Sequence, residues 1–199
     1  MKRHQFNLFQ TPIDLAHAYW RQFLKPGHCV VDATCGNGND TLVLAQIVME
    51  GGEAGCVIAM DRQQQALYAT RQLLEQHLSG KWVSRILFYE QCHSSFPTQI
   101  GKESVALIVY NLGYLPGGNK HLTTLPTTTM QSLEAALPLV MPGGAISITC
   151  YPGHEAGKVE EEQLVKFTAA LDPQKWSCCH HRWVNRRDGP SLLLIQRCV

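Results

Sequence analysis

VVDATCGNGNDT, residues 30–41, is the stretch on which the fold turns. An apolar run ends in Asp32. A loop with two glycines, Gly36 and Gly38, follows, and Asp40 and Thr41 open a helix. A strand, a glycine turn and a helix in that order form the first unit of an α/β sheet. Such a turn usually receives a ligand, because glycine lets the backbone approach closely and a helix start offers free N–H groups.

The same alternation extends in both directions. Upstream, Thr11 can cap a helix, Pro12 suits its first position, and Asp14 favours its positive end. Leu15, Ala16, Tyr19, Trp20, Phe23 and Leu24 then form an apolar stripe, and Pro26-Gly27 ends the helix. Downstream, a helix is expected over 40–49, a strand over 56–61, a helix over 62–78 and a strand over 85–90. The run 104–111 is nearly all apolar, as a central parallel strand should be. A long loop follows, then a helix over 128–140, a strand over 145–151 and a helix over 155–171. WSCCHHRWV and SLLLIQRC read as two last strands joined by NRRDGP. The expectation is a mostly parallel, doubly wound seven-stranded sheet, with helices on both faces and an antiparallel hairpin at the C-terminal edge.

A length of 199 residues suits one domain spanning 1–199. No stretch approaches the roughly 18–20 apolar residues of a membrane span. MKRHQFNLFQTP lacks the apolar core of a signal peptide, so a cytoplasmic location is expected. The eight cysteines are scattered without a CxxC and read as reduced thiols. CCHH at 178–181 invites a zinc reading, but neighbours on a strand face opposite ways, so no metal is expected. A formal charge of +1 neither demands nor excludes a nucleic-acid partner.

In an open α/β sheet the ligand lies at the carboxyl ends of the strands. Three such ends are informative: the glycine turn, Asp61 and Asn111. A dinucleotide site would carry G-x-G-x-x-G, and here Thr41 stands at the third glycine. Asp40 at the helix start would repel a pyrophosphate. The site suits a cationic ligand without phosphate, and S-adenosylmethionine fits. Asp32 and Asp40 can meet its cationic methionine portion, with Gly36, Asn37, Gly38, Asn39 and Thr41 completing the cradle. Asp61, followed by Arg62, can accept the ribose hydroxyls, as an acidic residue does in dinucleotide sites.

The fourth strand ends in Asn111-Leu112-Gly113-Tyr114. Amino-group methyltransferases often place [N/D/S]-P-P-[Y/F] here, so that a polar side chain and a carbonyl accept hydrogen bonds from the target amine. NLGY keeps the first and last members and loses both prolines. NLGYLPGGNKHLTT, TTT-x-x-x-L and YPGHEAGKVEEE, with DATCGNGNDT, Asn185 and Pro190, closely resemble a bacterial family over almost the whole chain. Its members, first described as rRNA methylases, are tRNA 5-aminomethyl-uridine methyltransferases. They complete the methylaminomethyl group, often beside a 2-thio group, on the wobble uridine. The family usually has Asp where this chain has Asn119.

The resemblance implies a class I methyltransferase fold, S-adenosylmethionine as methyl donor, S-adenosylhomocysteine as product, and tRNA as partner through its anticodon stem-loop. It makes a homodimer plausible. Asn111, Tyr114 and His154 are then the catalytic candidates. His93 is a candidate adenine contact. Tyr114, Tyr151 and Trp183 are candidate stacking surfaces for an unstacked base. Arg182, Arg186 and Arg187 can meet phosphates. Other readings are ribosomal RNA or a small amine as substrate, a noncatalytic RNA- or cofactor-binding module, and an NAD enzyme.

Overall fold

The computed structural model describes residues 9–52, 54–113, 124–186 and 188–199. Tyr114, Asn119 and Arg187, all singled out from the sequence, lie outside them.

Helix α1 (Pro12–Phe23) begins where Thr11 accepts the Asp14 N–H at 3.2 Å and donates its own proton to the Asp14 carboxylate at 2.6 Å. It stops before Pro26, and Gly27, at φ +90°, donates to the Val48 carbonyl. There follow β1 (Cys29–Asp32), α2 (Asn39–Val48), β2 (Cys56–Asp61) and α3 (Gln64–His77). Then come a short α4 (Gly80–Val83), β3 (Ile86–Glu90), β4 (Val105–Asn111), α5 (Pro126–Ala136), β5 (Val140–Cys150), α6 (Glu155–Ala169), β6 (Trp176–His181) and β7 (Ser191–Arg197).

The strands form one sheet in the order β3-β2-β1-β4-β5-β7-β6. β1 to β5 pair in parallel. β7 runs antiparallel to both β5 and β6. The last two strands do form an antiparallel pair, but the chain folds β7 inward and leaves β6 at the edge.

Two boundaries differ from the sequence reading. α5 spans 126–136 rather than 128–140, because Pro138 lies in a 3-10 turn that closes the helix early. β5 starts at Val140 rather than Ala145, running through Pro142-Gly143-Gly144. The sheet absorbs the extra residues as an irregularity between Val105 and Leu107.

Alternation along the strands sends side chains into two cores. Val30, Val57 and Leu107 pack with Ala16, Trp20, Leu44 and Leu74 of α1, α2 and α3. Val31, Ile58 and Ile108 pack with Leu133, Ala136 and Leu164 of α5 and α6. The sheet is thus held from both sides, and the carboxyl ends of its parallel strands all open in one direction.

Candidate active site

Those ends border one cavity of about 810 Å³, within the usual range for small-molecule sites. Its wall includes Gly36, Asn37, Asn39, Asp40, Asp61, Arg62, His93, Asn111, Tyr151 and His154. Most of the site residues expected from the sequence, drawn from five strand ends, therefore meet.

Three residues of the glycine turn lie behind the wall instead. Asp32 is 1% exposed; its Oδ2 accepts the Thr41 hydroxyl at 2.6 Å and its Oδ1 the Thr34 N–H at 3.2 Å. It braces the turn against α2 rather than facing a ligand, which corrects its expected place against the methionine portion. Burial, with the nearby Asp40 charge adding to it, pushes its carboxyl up to about 7. Thr41 is buried with it. Gly38 caps α2 at φ +84°, where a Cβ would stand 2.8 Å from the Thr70 Cα. Both the left-handed backbone and the packing require glycine there.

Asp61 stands at the wall. Its two oxygens accept the Gln63 N–H at 2.9 Å and the Gly36 N–H at 3.1 Å. One carboxylate thus ties the end of β2 to the glycine turn. Each oxygen keeps a lone pair for the cavity. Burial is the main influence on Asp61 and raises its pKa.

Asp40 is held from two sides. His17 Nε2 lies 2.7 Å from its Oδ1, and Asn111 Nδ2 donates to its Oδ2 at 3.2 Å. The Asn111 N–H also donates to the Thr34 hydroxyl at 2.7 Å. The Asp40 carboxylate thus joins the start of α2 to α1 and to the end of β4, and the Thr34 hydroxyl links that end to the turn after β1. His17 was not foreseen. Its signal was a histidine beside the apolar stripe of α1, packed on Trp20 with ring centroids 4.8 Å apart. Tyr151 lines the wall beside these groups; burial first, then the Asp40 charge, raises its phenol pKa, and the Asn111 amide offsets part of this.

His154 has a structural duty. It caps α6, its Nδ1 accepting the Gly157 N–H at 3.0 Å. A neutral imidazole whose Nδ1 accepts carries its proton on Nε2, so His154 can offer the cavity a donor but cannot act as a base without breaking the cap. Gly157 is fixed by the same geometry, since a Cβ there would lie 2.2 Å from the Tyr151 carbonyl and 3.1 Å from the His154 ring.

A second polar cluster, also unforeseen, lies behind His93. Glu160 of α6 is 4% exposed and accepts Thr129 at 2.6 Å and Thr124 at 3.0 Å. Thr124 accepts the Gly113 N–H at 3.0 Å. His93 Nε2 is 3.4 Å from the Thr129 hydroxyl, and its ring meets Tyr110 edge to face. Burial, aided by the Arg62 charge, holds the His93 pKa down to about 4.

The turn between β6 and β7 reaches the mouth, where Asp188 and Pro190 join the wall. Beside them Arg186 stacks over Trp183, 4.4 Å from the ring centroid, and Phe9 meets Trp183 edge to face. Arg182 and Arg186 are exposed. His180 faces Ser191 and Glu161 on the α6 side, while His181 meets Tyr19 of α1 on the other. Among the described residues no group of three or more His, Cys, Asp or Glu is placed to share a metal ion. No helix among them is long and apolar enough to cross a membrane.

The strand order, the reversed β7 and the acid-lined glycine turn define a class I methyltransferase fold. A crystal structure described as a "putative rRNA-methylase", from Clostridium thermocellum, superposes with a TM-score of 0.87 at 33% identity, covering 95% of this chain and 98% of the other. A "putative methyltransferase" from Streptococcus mutans, solved in complex with SAH, gives 0.81 at 29% identity over 95% and 99%. The Arabidopsis thaliana protein named tRNA (mnm5s2U34)-methyltransferase, chloroplastic, is 40% identical over 185 residues, 92% of this chain and 68% of that protein. Residues 57–197 match the family model described as "Putative rRNA methylase", and the chain belongs to that family.

Proposed function

We propose that this chain is the S-adenosylmethionine-dependent methyltransferase that converts 5-aminomethyl-(2-thio)uridine, at the wobble position of tRNA, to its methylaminomethyl form. The observation that carries the reading is the meeting of Asn111 with Asp40 and Asp61 at one cavity wall. An amine acceptor beside a site for a cationic cofactor is what N-methyl transfer requires.

The residues present fit the cofactor. Asp61 offers two carboxylate oxygens, already aligned by backbone N–H groups, to a ribose diol. Asp40, aligned by His17 and Asn111, offers negative charge to the methionine end. An anion at the first turn of α2 disfavours a phosphate ligand. The cofactor supplies a methyl group on a cationic sulfur that leaves as a neutral thioether.

The protein then has to present the nucleophile. A carboxylate only accepts, so the Asn111 Nδ2 contact with Asp40 fixes the amide and leaves its Oδ1 as an acceptor. That oxygen can take an N–H of the target amine and aim the nitrogen lone pair at the methyl carbon. The N–C bond forms as the C–S bond breaks, and the product ammonium gives its proton to water. A free alkylamine titrates near Lys, at about 10, so the site must select the neutral form. Alignment can contribute up to roughly 7–11 kcal/mol, and no protein base is required. His154, the helix cap, is assigned an orienting role as an Nε2–H donor.

Tyr151 at the wall offers a face for the extruded base, a role assigned also to Tyr114. Arg182, Arg186 and Trp183 on the neighbouring turn form the surface for the anticodon stem-loop. A cytoplasmic location and a homodimer belong to the same reading, and light scattering at micromolar concentration tests the latter.

Methyl transfer from labelled S-adenosylmethionine to tRNA bearing 5-aminomethyluridine, with nucleoside mass spectrometry, tests the whole. A methylaminomethyl product is expected, and none from tRNA lacking the aminomethyl group. Label appearing only in ribosomal RNA would overturn the assignment of substrate.

A further inference from the structure

The cluster behind His93 determines where that imidazole carries its proton. Glu160 is buried and accepts two hydroxyls, Thr124 and Thr129. Burial raises the Glu160 pKa, and the hydrogen bonds from Thr129 and Thr124 offset part of this by favouring the ionised form. As a carboxylate it has no proton to return, so each threonine spends its single hydroxyl proton on it. The 2.6 Å separation from Thr129 marks this as the strong contact. Thr129 then faces His93 Nε2, 3.4 Å away, with a lone pair only. The ring must answer with an N–H, so neutral His93 is an Nε2–H tautomer and its Nδ1 is bare.

Nδ1 has no partner among the described residues. The fully buried side-chain polar atoms without a partner are Trp20 Nε1 and Ser147 Oγ; His93 Nδ1 is not among them, so it is an unpartnered atom that reaches open space. Its lone pair is therefore open at the cavity wall that the ring lines.

We propose that Glu160 and Thr129 are positioning residues that fix the His93 tautomer, so that Nδ1 accepts a hydrogen bond from the exocyclic amine of the cofactor's purine. This rests on the cofactor reading above. It assigns selectivity for a 6-amino purine to a carboxylate that never touches the ligand. A site built around one hydrogen-bond direction rejects a ligand with the opposite direction far better than one lacking a methylene.

The test has two readouts. In the ligand-free protein, nitrogen-15 histidine NMR, with the His93 signals assigned by their loss in His93→Gln, should show a protonated Nε2 and a bare Nδ1. In Glu160→Gln the new amide can donate to Thr129. Thr129 then points its proton at Nε2, and the tautomer should reverse. Calorimetry should find S-adenosylhomocysteine bound at least ~10-fold more tightly than S-inosylhomocysteine, whose purine carries an oxygen in place of the amine. Glu160→Gln should erase or invert that ratio. Thr129→Val, which removes the relay without adding a donor, and His93→Ala should each bring it to within about 3-fold.

An unchanged tautomer and ratio in both Glu160→Gln and Thr129→Val would overturn the relay. An unchanged ratio in His93→Ala would overturn the purine contact, while tight S-adenosylhomocysteine binding would leave the cofactor reading standing. Failure of that reading looks different: the wild-type protein would bind neither nucleoside.

Discussion

The two halves of the cavity are built by different means. On the β1–β2 side the backbone does most of the work: Gly36 N–H to Asp61, Gln63 N–H to Asp61 and Thr34 N–H to Asp32. On the β4–β5 side, side chains distant in sequence do it: Asn111 to Asp40, Thr129 and Thr124 to Glu160, His93 to Thr129. Each of these bonds runs from a local backbone N–H to one of two strand-end carboxylates, so replacing Asp61 or Asp32 releases its own N–H partners and leaves the other carboxylate's in place. A side-chain network loses several alignments when one member goes. The first arrangement suits the ribose, to which Asp61 is assigned; the second carries the contacts assigned to specificity, Asn111 for the target amine and His93 for the purine.

Asp61→Ala is the strongest probe of the backbone-built half. It removes the carboxylate assigned to the ribose and leaves the glycine turn otherwise in place. The expected loss of S-adenosylhomocysteine affinity is about 100-fold, or ~3 kcal/mol for two hydrogen bonds to a charged group. The melting temperature should stay within a few degrees. Calorimetry and a thermal scan check both, and unchanged affinity would remove Asp61 from the site.

Asn111→Ala probes the other half. Turnover should fall ~10–100-fold, about 1.4–2.8 kcal/mol for one orienting group. Cofactor affinity should fall less, because His17 still holds Asp40. Single-turnover kinetics with saturating cofactor separate the two effects. Wild-type turnover in this variant would end the amine-acceptor role.

Much of the backbone-built half was legible in the sequence because its signals are local. Gly36-x-Gly38, the terminal acids of two strands and a helix start at Asp40, one residue after the observed Asn39, all follow from short-range chemistry. What was illegible there was direction. Asp32 and Asp40 read alike as acids beside the turn, yet strand alternation and the Thr41 hydroxyl draw one beneath it. On the other side Asn111 was legible from its place at the end of an apolar strand. Glu160 was not. In the sequence it stands in a run of three glutamates on an amphipathic helix and looks solvated. Only the packing of α5 against α6 turns it inward toward Thr124 and Thr129. His17 was hidden for the same reason, since no local rule pairs positions 23 residues apart.

Asp32 sharpens the contrast through pH. Its carboxyl titrates near 7 in the folded chain and near 3.9 when unfolded. The folded state therefore binds the proton more tightly. This contribution to stability is complete below about pH 4 and is lost as pH rises through about 7, with a slope of at most ~1.4 kcal/mol per unit. His93, held down to about 4, acts in the opposite sense, since protonation of the unfolded chain lowers stability as pH falls below about 6.5. The difference between wild type and Asp32→Asn isolates the first effect. Urea denaturation from pH 5 to 7.5 should show wild type losing stability relative to the variant as pH rises. A difference that does not vary with pH would mean that Asp32 is ionised throughout.

The smallest effect belongs outside the cavity, at Arg186. Its guanidinium carbon lies over the Trp183 ring, so the pair presents charge and an aromatic face together at the mouth. If this turn meets the RNA backbone, Arg186→Ala should weaken tRNA binding only a few-fold at physiological salt, below about 1 kcal/mol. It should also lower the slope of log affinity against log salt by roughly one contact's worth. S-adenosylhomocysteine affinity should not move, because Arg186 is not part of the cavity wall. Filter binding across a salt series, beside calorimetry with the nucleoside, measures the two independently. An unchanged slope with weaker binding would mean that Arg186 acts through the Trp183 stack rather than on a phosphate.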